Sequence, residues 1–254
     1  MALIRFDRVS KSLLGRLVLN DVSFEVAKGA SLAIVGPSGA GKSVTLKHMI
    51  CLLRPDVGSV EIGGDAISEA RGSELDRIRR RFGVLFQSSA LLEWLTVAEN
   101  VALPLREKTA MSEEDIISTV NERLRLVGLE EDREKHPSEL SGGMKKRAGL
   151  ARALAEDPEI VLYDEPTSGL DPVSARSIDN LINTTRKDLG VTSVVVTHDL
   201  HSALSVGTSI AMIYRGAIVE MCSPSEFVRS ENDIVQQFLK AQYITDSGAW
   251  EIKQ

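Results

Sequence analysis

The sequence is short of the residues that staple secreted folds or build transition-metal sites. It has two cysteines and four histidines in 254 residues. Cys51 and Cys222 stand alone, so a disulfide framework is excluded and free thiols in a reducing compartment are expected. His48 and Cys51 lie three apart on one expected helix, but two ligands make no metal site, and core packing is expected of both. His136 and His201 fall in no motif and are expected at the surface. No apolar run approaches 18 residues, which excludes an encoded membrane span. The first residues, Met1 to Asp7, lack the apolar h-region of a signal peptide, so a cytosolic location is expected, with any membrane role supplied by a partner. The formal net charge is −6, without the basic surplus of a general nucleic-acid binder. Repeats and low-complexity segments are also missing.

What is present is ordinary globular material, 43% hydrophobic and 26% charged. The length suits one large α/β domain with inserted subdomains. Val22, Phe24 and Val26 alternate with Ser23 and Glu25, the period of a half-buried strand, and residues 3–27 are expected to form antiparallel strands. Gly58 to Ile62 adds another. Four apolar runs, Ser31–Val35, Phe82–Phe86, Ile160–Asp164 and Ser193–Thr197, are separated by helix-length connections, which predicts a parallel sheet covered on both faces. Helix is expected from Lys42 to Leu53, stopped ahead of Pro55. Residues about 92–157 read as helical. There Ser112 and Asp115 form a cap, and Ile116, Ile117, Val120 and Leu124 share a face. Ser141 stands at a helix N-cap position, with helix to about Glu156. Pro224 to about Tyr243 reads as one helix, with Ile234, Val235, Phe238 and Leu239 on one side. One domain is expected over 1–240, with an antiparallel β subdomain within 1–66, and a C-terminal tail over 241–254 that holds Trp250.

The chemistry is concentrated in two distant stretches. Gly36-Pro37-Ser38-Gly39-Ala40-Gly41-Lys42-Ser43 follows a strand, opens a helix and fits G-x-x-x-x-G-K-[ST]. Glycines let the backbone turn its N–H groups inward on phosphate oxygens, and the helix N-terminus adds partial positive charge. Lys42 supplies a full charge for the β- and γ-phosphates. Ser43 offers a hydroxyl to Mg²⁺, which takes few protein oxygens beside phosphate. Thr45 is counted with the nucleotide-contacting residues. Asp164 ends an apolar strand, where ligands of open α/β sheets bind, and is expected to hold Mg²⁺ through water. Glu165 is the expected general base for the attacking water. Ser141-Gly142-Gly143 opens a helix and is itself an anion site.

With these motifs in this order, the chain resembles the ATPases of ABC transporters over nearly its whole length. The resemblance implies a P-loop NTPase (RecA-like) core with an antiparallel β subdomain and an inserted helical subdomain, hydrolysing ATP with Mg²⁺. It implies that Gln87 is the Q-loop glutamine, which senses Mg²⁺ and the membrane partner. Leu140 to Met144 would be the signature motif, Asp164-Glu165 the end of Walker B, Ser168 to Asp171 the D-loop, and His198 the switch histidine at the γ-phosphate. It further implies a head-to-tail dimer in which Ser141, Gly142 and Gly143 of one copy close over the ATP of the other. Two departures stand out. Leu13-Leu14-Gly15 offers only leucines where many members stack an aromatic on adenine, a loss of about 0.5–1.5 kcal/mol. Met144 replaces the usual signature glutamine.

Met144 followed by Lys145-Lys146-Arg147, with the stretch from Phe86 to Glu107, resembles the Mla-type bacterial phospholipid transport ATPases. That narrower resemblance implies a permease, an MCE-domain lipid-binding protein and an accessory cytoplasmic subunit as partners at the cytoplasmic face of the inner membrane. The alternatives are a motor for another solute (amino acid or lipoprotein) and a soluble iron–sulfur assembly ATPase. No sustained heptads separate Ser43 from Ser141, which argues against the chromosome-type members. The basic run Arg77, Arg79, Arg80, Arg81 is expected to be a solvated helix face, with lipid headgroups as the rival partner. Trp94 is either an interface anchor or core.

Overall fold

The computed structural model describes residues 2–242 and 244. Trp250, Tyr243 and most of the expected tail lie outside the described residues. The chain divides into two compact units, Met1–Arg79 with Val194–Gln254, and Arg80–Ser193.

The first unit opens with β1 (Ala2–Leu13) and β2 (Arg16–Ala27), an antiparallel pair. Val22, Phe24 and Val26 are buried and Ser23 and Glu25 exposed, as the alternation requires. Leu14 and Gly15, at φ 50° and 76°, form the tight turn, whose positive dihedrals match the strand twist. Next come β3 (Ser31–Val35), buried throughout, and α1 (Lys42–Met49). This helix stops four residues short of Leu53. Cys51 adopts the left-handed conformation at φ 58°, and Leu52 N–H donates to Lys47 O at 2.9 Å. That is a Schellman ending, so the helix is finished before Pro55 can act. β4 (Val57–Ile62) and β5 (Asp65–Ala66) complete a sheet of order β2-β1-β4-β5, and α2 (Gly72–Arg79) follows.

The second unit begins with β6 (Phe82–Leu85). Three helices then pack on one another: α3 (Val97–Lys108), α4 (Glu113–Val127) and α5 (Gly142–Ala153). Ser112 caps α4 by accepting from Asp115 N–H at 3.2 Å. Ile117 is exposed; the buried face of α4 is Ile116, Val120, Arg123, Leu124 and Val127. The extra members are Val127 and Arg123, which satisfies its buried guanidinium on Leu154 O at 3.0 Å and on Asp157. β7 (Ile160–Asp164) runs parallel to β6, and α6 (Pro172–Leu189) follows it. β8 (Thr192–Val196) straddles the division. Thr192 N–H donates to Glu159 O in the second unit, and Thr197 N–H, just past the strand, to Ile34 O in the first.

Back in the first unit, α7 (Leu200–Val206) leads to two strands that the sequence reading did not assign, β9 (Ser209–Tyr214) and β10 (Ala217–Cys222). β9 lies parallel to β3 and β10 antiparallel to β9. The single helix expected after Pro224 is two, α8 (Pro224–Val228) and α9 (Asp233–Ala241). Asn232 breaks it by accepting Ile234 N–H at 2.9 Å, a new N-cap. Val235, Leu239 and Ile244 join Phe227 on Ala33 and Val35 of β3, with Ile234 and Phe238 half-buried beside them.

Phe227→Ala should therefore cost about 3–5 kcal/mol, the usual range for deleting a buried aromatic. Ile117→Ala should stay within about 0.5 kcal/mol, as surface changes do. Thermal melts of the two variants check this; equal losses would mean that the α4 face is placed wrongly.

Candidate active site

The phosphate loop joins β3 to α1. Its shape is imposed by close approach. A Cβ on Gly36 would lie 2.1 Å from Ile213 O, and one on Gly41 would lie 2.7 Å from a Leu19 methyl, with φ 115° besides. Lys42 is buried at 8% exposure and curls over the loop, its Nζ donating to Gly36 O at 2.7 Å and Pro37 O at 3.2 Å. α1 has no side-chain cap and no acidic residue in its first turn, leaving its partial positive charge unopposed. Ser38, Gly39 and Ser43 are exposed, Pro37 half-buried and Ala40 buried. Thr45 is fully buried, and its hydroxyl and N–H both donate to Gly41 O at 3.2 and 2.9 Å. It braces the loop from behind rather than offering its hydroxyl outward. At the β1–β2 turn, Leu14 is exposed and Leu13 half-buried.

His198, also in the first unit, follows β8 and is exposed. Asp199 caps α7 through His201 N–H and Ser202 N–H. The Gln242 side chain, past the end of α9, accepts from Leu200 N–H and donates to His198 O, both at 2.8 Å. Nothing in the sequence pattern marks Gln242, because its partners lie 42 and 44 residues away.

In the second unit, β7 carries Asp164 and then Glu165 to a half-buried strand end. Glu165 adopts φ 49°, a left-handed conformation that costs a non-glycine residue roughly 1–2 kcal/mol. Gln87 is exposed two residues past β6, and Ser89 and Ala90 beyond it are also left-handed. Ser141 caps α5 by accepting Met144 N–H at 3.3 Å, and Ser141 and Gly142 face solvent. Gly143 is half-buried. Asp171 caps α6 on Val173 N–H and Ser174 N–H at 3.0 Å, and its hydrogen bonds from Ser174 hold its carboxyl below the ordinary carboxylate range. Lys146, to which the sequence pattern gave no chemical role, joins two of these segments. It is 4% exposed and its Nζ donates to Gln87 O at 2.6 Å and Glu165 O at 3.0 Å.

The loop after Gln87 is stapled from within. Buried Asn100 accepts Leu92 N–H at 2.8 Å and donates to Leu92, Leu95 and Thr96 carbonyls. Trp94 at its tip is 73% exposed, with Phe86 exposed nearby in sequence. The core alternative for Trp94 is thereby set aside. In the basic run Arg77, Arg79 and Arg80 are exposed, as a solvated helix face requires. Arg77 pairs with Asp65 at 2.9 Å, Arg79 donates to Cys51 O, and Arg81 pairs with Glu159. His48 is buried, donates to Val44 O and meets Phe6 edge-on, and burial pulls its pKa down. His136 is exposed and His201 half-buried. No group of three or more His, Cys, Asp or Glu side chains suited to a metal ion occurs among the described residues.

Comparison with known proteins agrees with these motifs. A family model described as "ABC transporter" matches residues 19–168. A "probable ribonucleotide transport ATP-binding protein mkl" of Mycobacterium leprae is 44% identical over 251 residues, 98% of this chain and 72% of that protein. The methionine import ATP-binding protein MetN of Haemophilus ducreyi is 40% identical over 228 residues, 89% of this chain and 66% of that protein. Among solved structures, a dimeric ATP-binding cassette in a post-hydrolysis state with ADP and Pi superposes with TM-score 0.79 at 34% identity, covering 87% of this chain and 98% of the other. CbiO1 of Clostridium perfringens, part of an ABC transporter complex, superposes with TM-score 0.84 at 25% identity, covering 94% and 95%. The fold is that of the P-loop cassettes, and the chain belongs to the ATP-binding, ATP-hydrolysing proteins of the ABC transporter family.

Proposed function

We propose that this ATPase is the motor of a transporter that moves phospholipid between bacterial inner and outer membranes through a separate permease. The backbone amides of Gly36 to Ser43 and the Lys42 ammonium take the β- and γ-phosphates. Ser43 would offer a hydroxyl, and Asp164 and Gln87 a carboxylate and an amide oxygen, the hard oxygen donors that Mg²⁺ takes in small number beside phosphate. A magnesium ion bound by them with the nucleotide would supply charge neutralisation for the phosphates. Glu165 accepts the proton of the attacking water, and His198 contacts the γ-phosphate. A second copy contributes Ser141, Gly142 and Gly143, with Asp171 at the same junction. Ser141 and Gly142 at an uncovered helix start suit that role.

The observation that carries the transport reading is the Trp94 loop. A large apolar side chain held out by a buried asparagine staple suits an anchor for a membrane partner. Binding there would place the protein peripherally on the cytoplasmic face of the inner membrane. The lipid assignment rests on the resemblance around Met144 and from Phe86 to Glu107, and an MCE-domain protein and an accessory cytoplasmic subunit go with it. The likeness to a methionine import protein favours a second reading, import of a small solute.

Glu165→Gln should keep ATP binding and lose turnover by about 10²–10⁴-fold, as removal of a general base does. Lys42→Ala should fail earlier, at binding. Nucleotide titration with steady-state hydrolysis separates the two, and near-normal hydrolysis by Glu165→Gln would move the base elsewhere. Trp94→Ala should release the protein from membranes with its melting temperature essentially unchanged, because the ring is mostly exposed. Membrane flotation checks this; retention at wild-type level would reject the anchor. Cells without the protein should misplace phospholipid at the outer membrane and become detergent-sensitive. Normal lipid distribution with failure to take up one nutrient would select the import reading.

A further inference from the structure

The signature helix does more than present its N-terminus. Three of its residues at spacing three, Lys146, Gly149 and Arg152, contact the segment from Leu85 to Ala90. Arg152 donates to Ser89 O at 2.8 Å and Ala90 O at 2.7 Å. A Cβ on Gly149 would lie 2.9 Å from a Leu85 methyl and 3.2 Å from Ser89 O, so helix and loop touch backbone to backbone. Lys146 extends this clasp to a second target, because its ammonium bonds both Gln87 O and Glu165 O.

That arrangement is unusual for a lysine, which is almost never fully buried unless paired. Here the ammonium is buried and two of its three donors end on backbone carbonyls. Burial draws its pKa down, while the carboxylates of Asp164 and Glu165 draw it back up. The acceptors are the carbonyls of the coupling glutamine and of the general base, and Glu165 is held in its left-handed conformation by Lys146 Nζ and Ser168 N–H on the same oxygen. Such a conformation persists only where the surroundings over-determine it.

We propose that Lys146 is a positioning residue: through Gln87 O and Glu165 O it locks the Q-loop, the signature helix and the base into one moving piece. Displacement of the loop after Gln87 by a docked partner is then passed directly to the Glu165 backbone. The proposal rests on Glu165 being the base, which the Glu165→Gln measurement tests separately.

The test uses the full chain with Lys146→Met, which keeps length and burial but removes every donor, and Lys146→Gln, which keeps an uncharged donor one atom nearer the backbone. For Lys146→Met, kcat should fall at least about tenfold while KM for ATP stays within about threefold, the pattern of an interaction needed only for the chemical step. Its melting temperature should fall only modestly, since Gln87 O and Glu165 O lose a donor while Glu165 O keeps Ser168 N–H. Lys146→Gln should retain more kcat than Lys146→Met at the same KM. If Lys146→Met fails to fold, Lys146→Gln decides: lowered kcat with unchanged KM and melting temperature supports the proposal. Turnover within twofold of wild type in folded Lys146→Met, or in Lys146→Gln where Lys146→Met does not fold, with Glu165→Gln inactive, overturns it. So does parallel loss of ATP binding, kcat and melting temperature in both variants, which would make Lys146 structural only. Retained turnover by Glu165→Gln would instead remove the premise.

Discussion

The phosphate loop exists because other backbone comes too close to it for any side chain to intervene. Gly36 lies against the carbonyl of Ile213, and Gly41 against Val18 and Leu19. Gly216 N–H donates to Ala40 O at 3.1 Å, and Asn20 N–H donates in turn to Gly216 O at 2.8 Å. The loop is thus held in a frame built by β2, β9 and the turn between β9 and β10. The glycines of the motif serve this frame as much as the phosphate. Alanine at Gly36 would need the β9 carbonyl to move, and β9 is paired to β3 along four positions. The elements that look peripheral in sequence are the ones that fix the loop.

This explains which parts of the molecule could be read from the chain alone. The motifs were legible because each is local: a glycine spacing, a serine at a helix start, carboxylates at the end of an apolar run. Ser112 and Ser141 do cap their helices. The frame was not legible. β9 and β10 are six residues each, joined by Arg215-Gly216, and a short apolar run does not declare whether it is strand or helix. Boundaries failed where one residue overrode the pattern, as Cys51 did for α1 and Asn232 for the C-terminal helix. Thr45 is an i−4 back-bonding threonine, indistinguishable in sequence from one facing a ligand. Lys146 and Gln242 matter through partners 19 to 59 residues away, and no periodicity encodes that.

Strain marks the same places. Several of the left-handed non-glycine residues, Leu14, Ser89, Ala90 and Glu165, fall in the hairpin turn, the segment after Gln87 and the end of β7. Others, such as Cys51 and Asp157, stand just past helices, where left-handed residues are common for reasons of termination. The distinction lies in the bracing. Ser89, Ala90 and Glu165 each have a carbonyl held by a cationic side chain of one helix, α5. A charged donor gives a shorter, stronger hydrogen bond than a neutral one, so a single helix holds three strained peptides in register.

The residues that meet the phosphates and those of the exposed loop face different demands. Residues that meet the phosphates answer to a ligand common to all such motors, so they carry no information on cargo. The loop from Phe86 to Thr96 is the segment proposed above to meet a membrane partner. Its tip is free to vary, because Asn100 satisfies the backbone at Leu92, Leu95 and Thr96 whatever side chain stands between them. Its root is not free, because α5 fixes the carbonyls of Gln87, Ser89 and Ala90. The loop thus joins a tip without hydrogen-bond demands on its side chains to a root held by three cation-bonded carbonyls. If Lys146 acts as proposed, displacement of this loop would reach Glu165 through Gln87 O and the Lys146 ammonium.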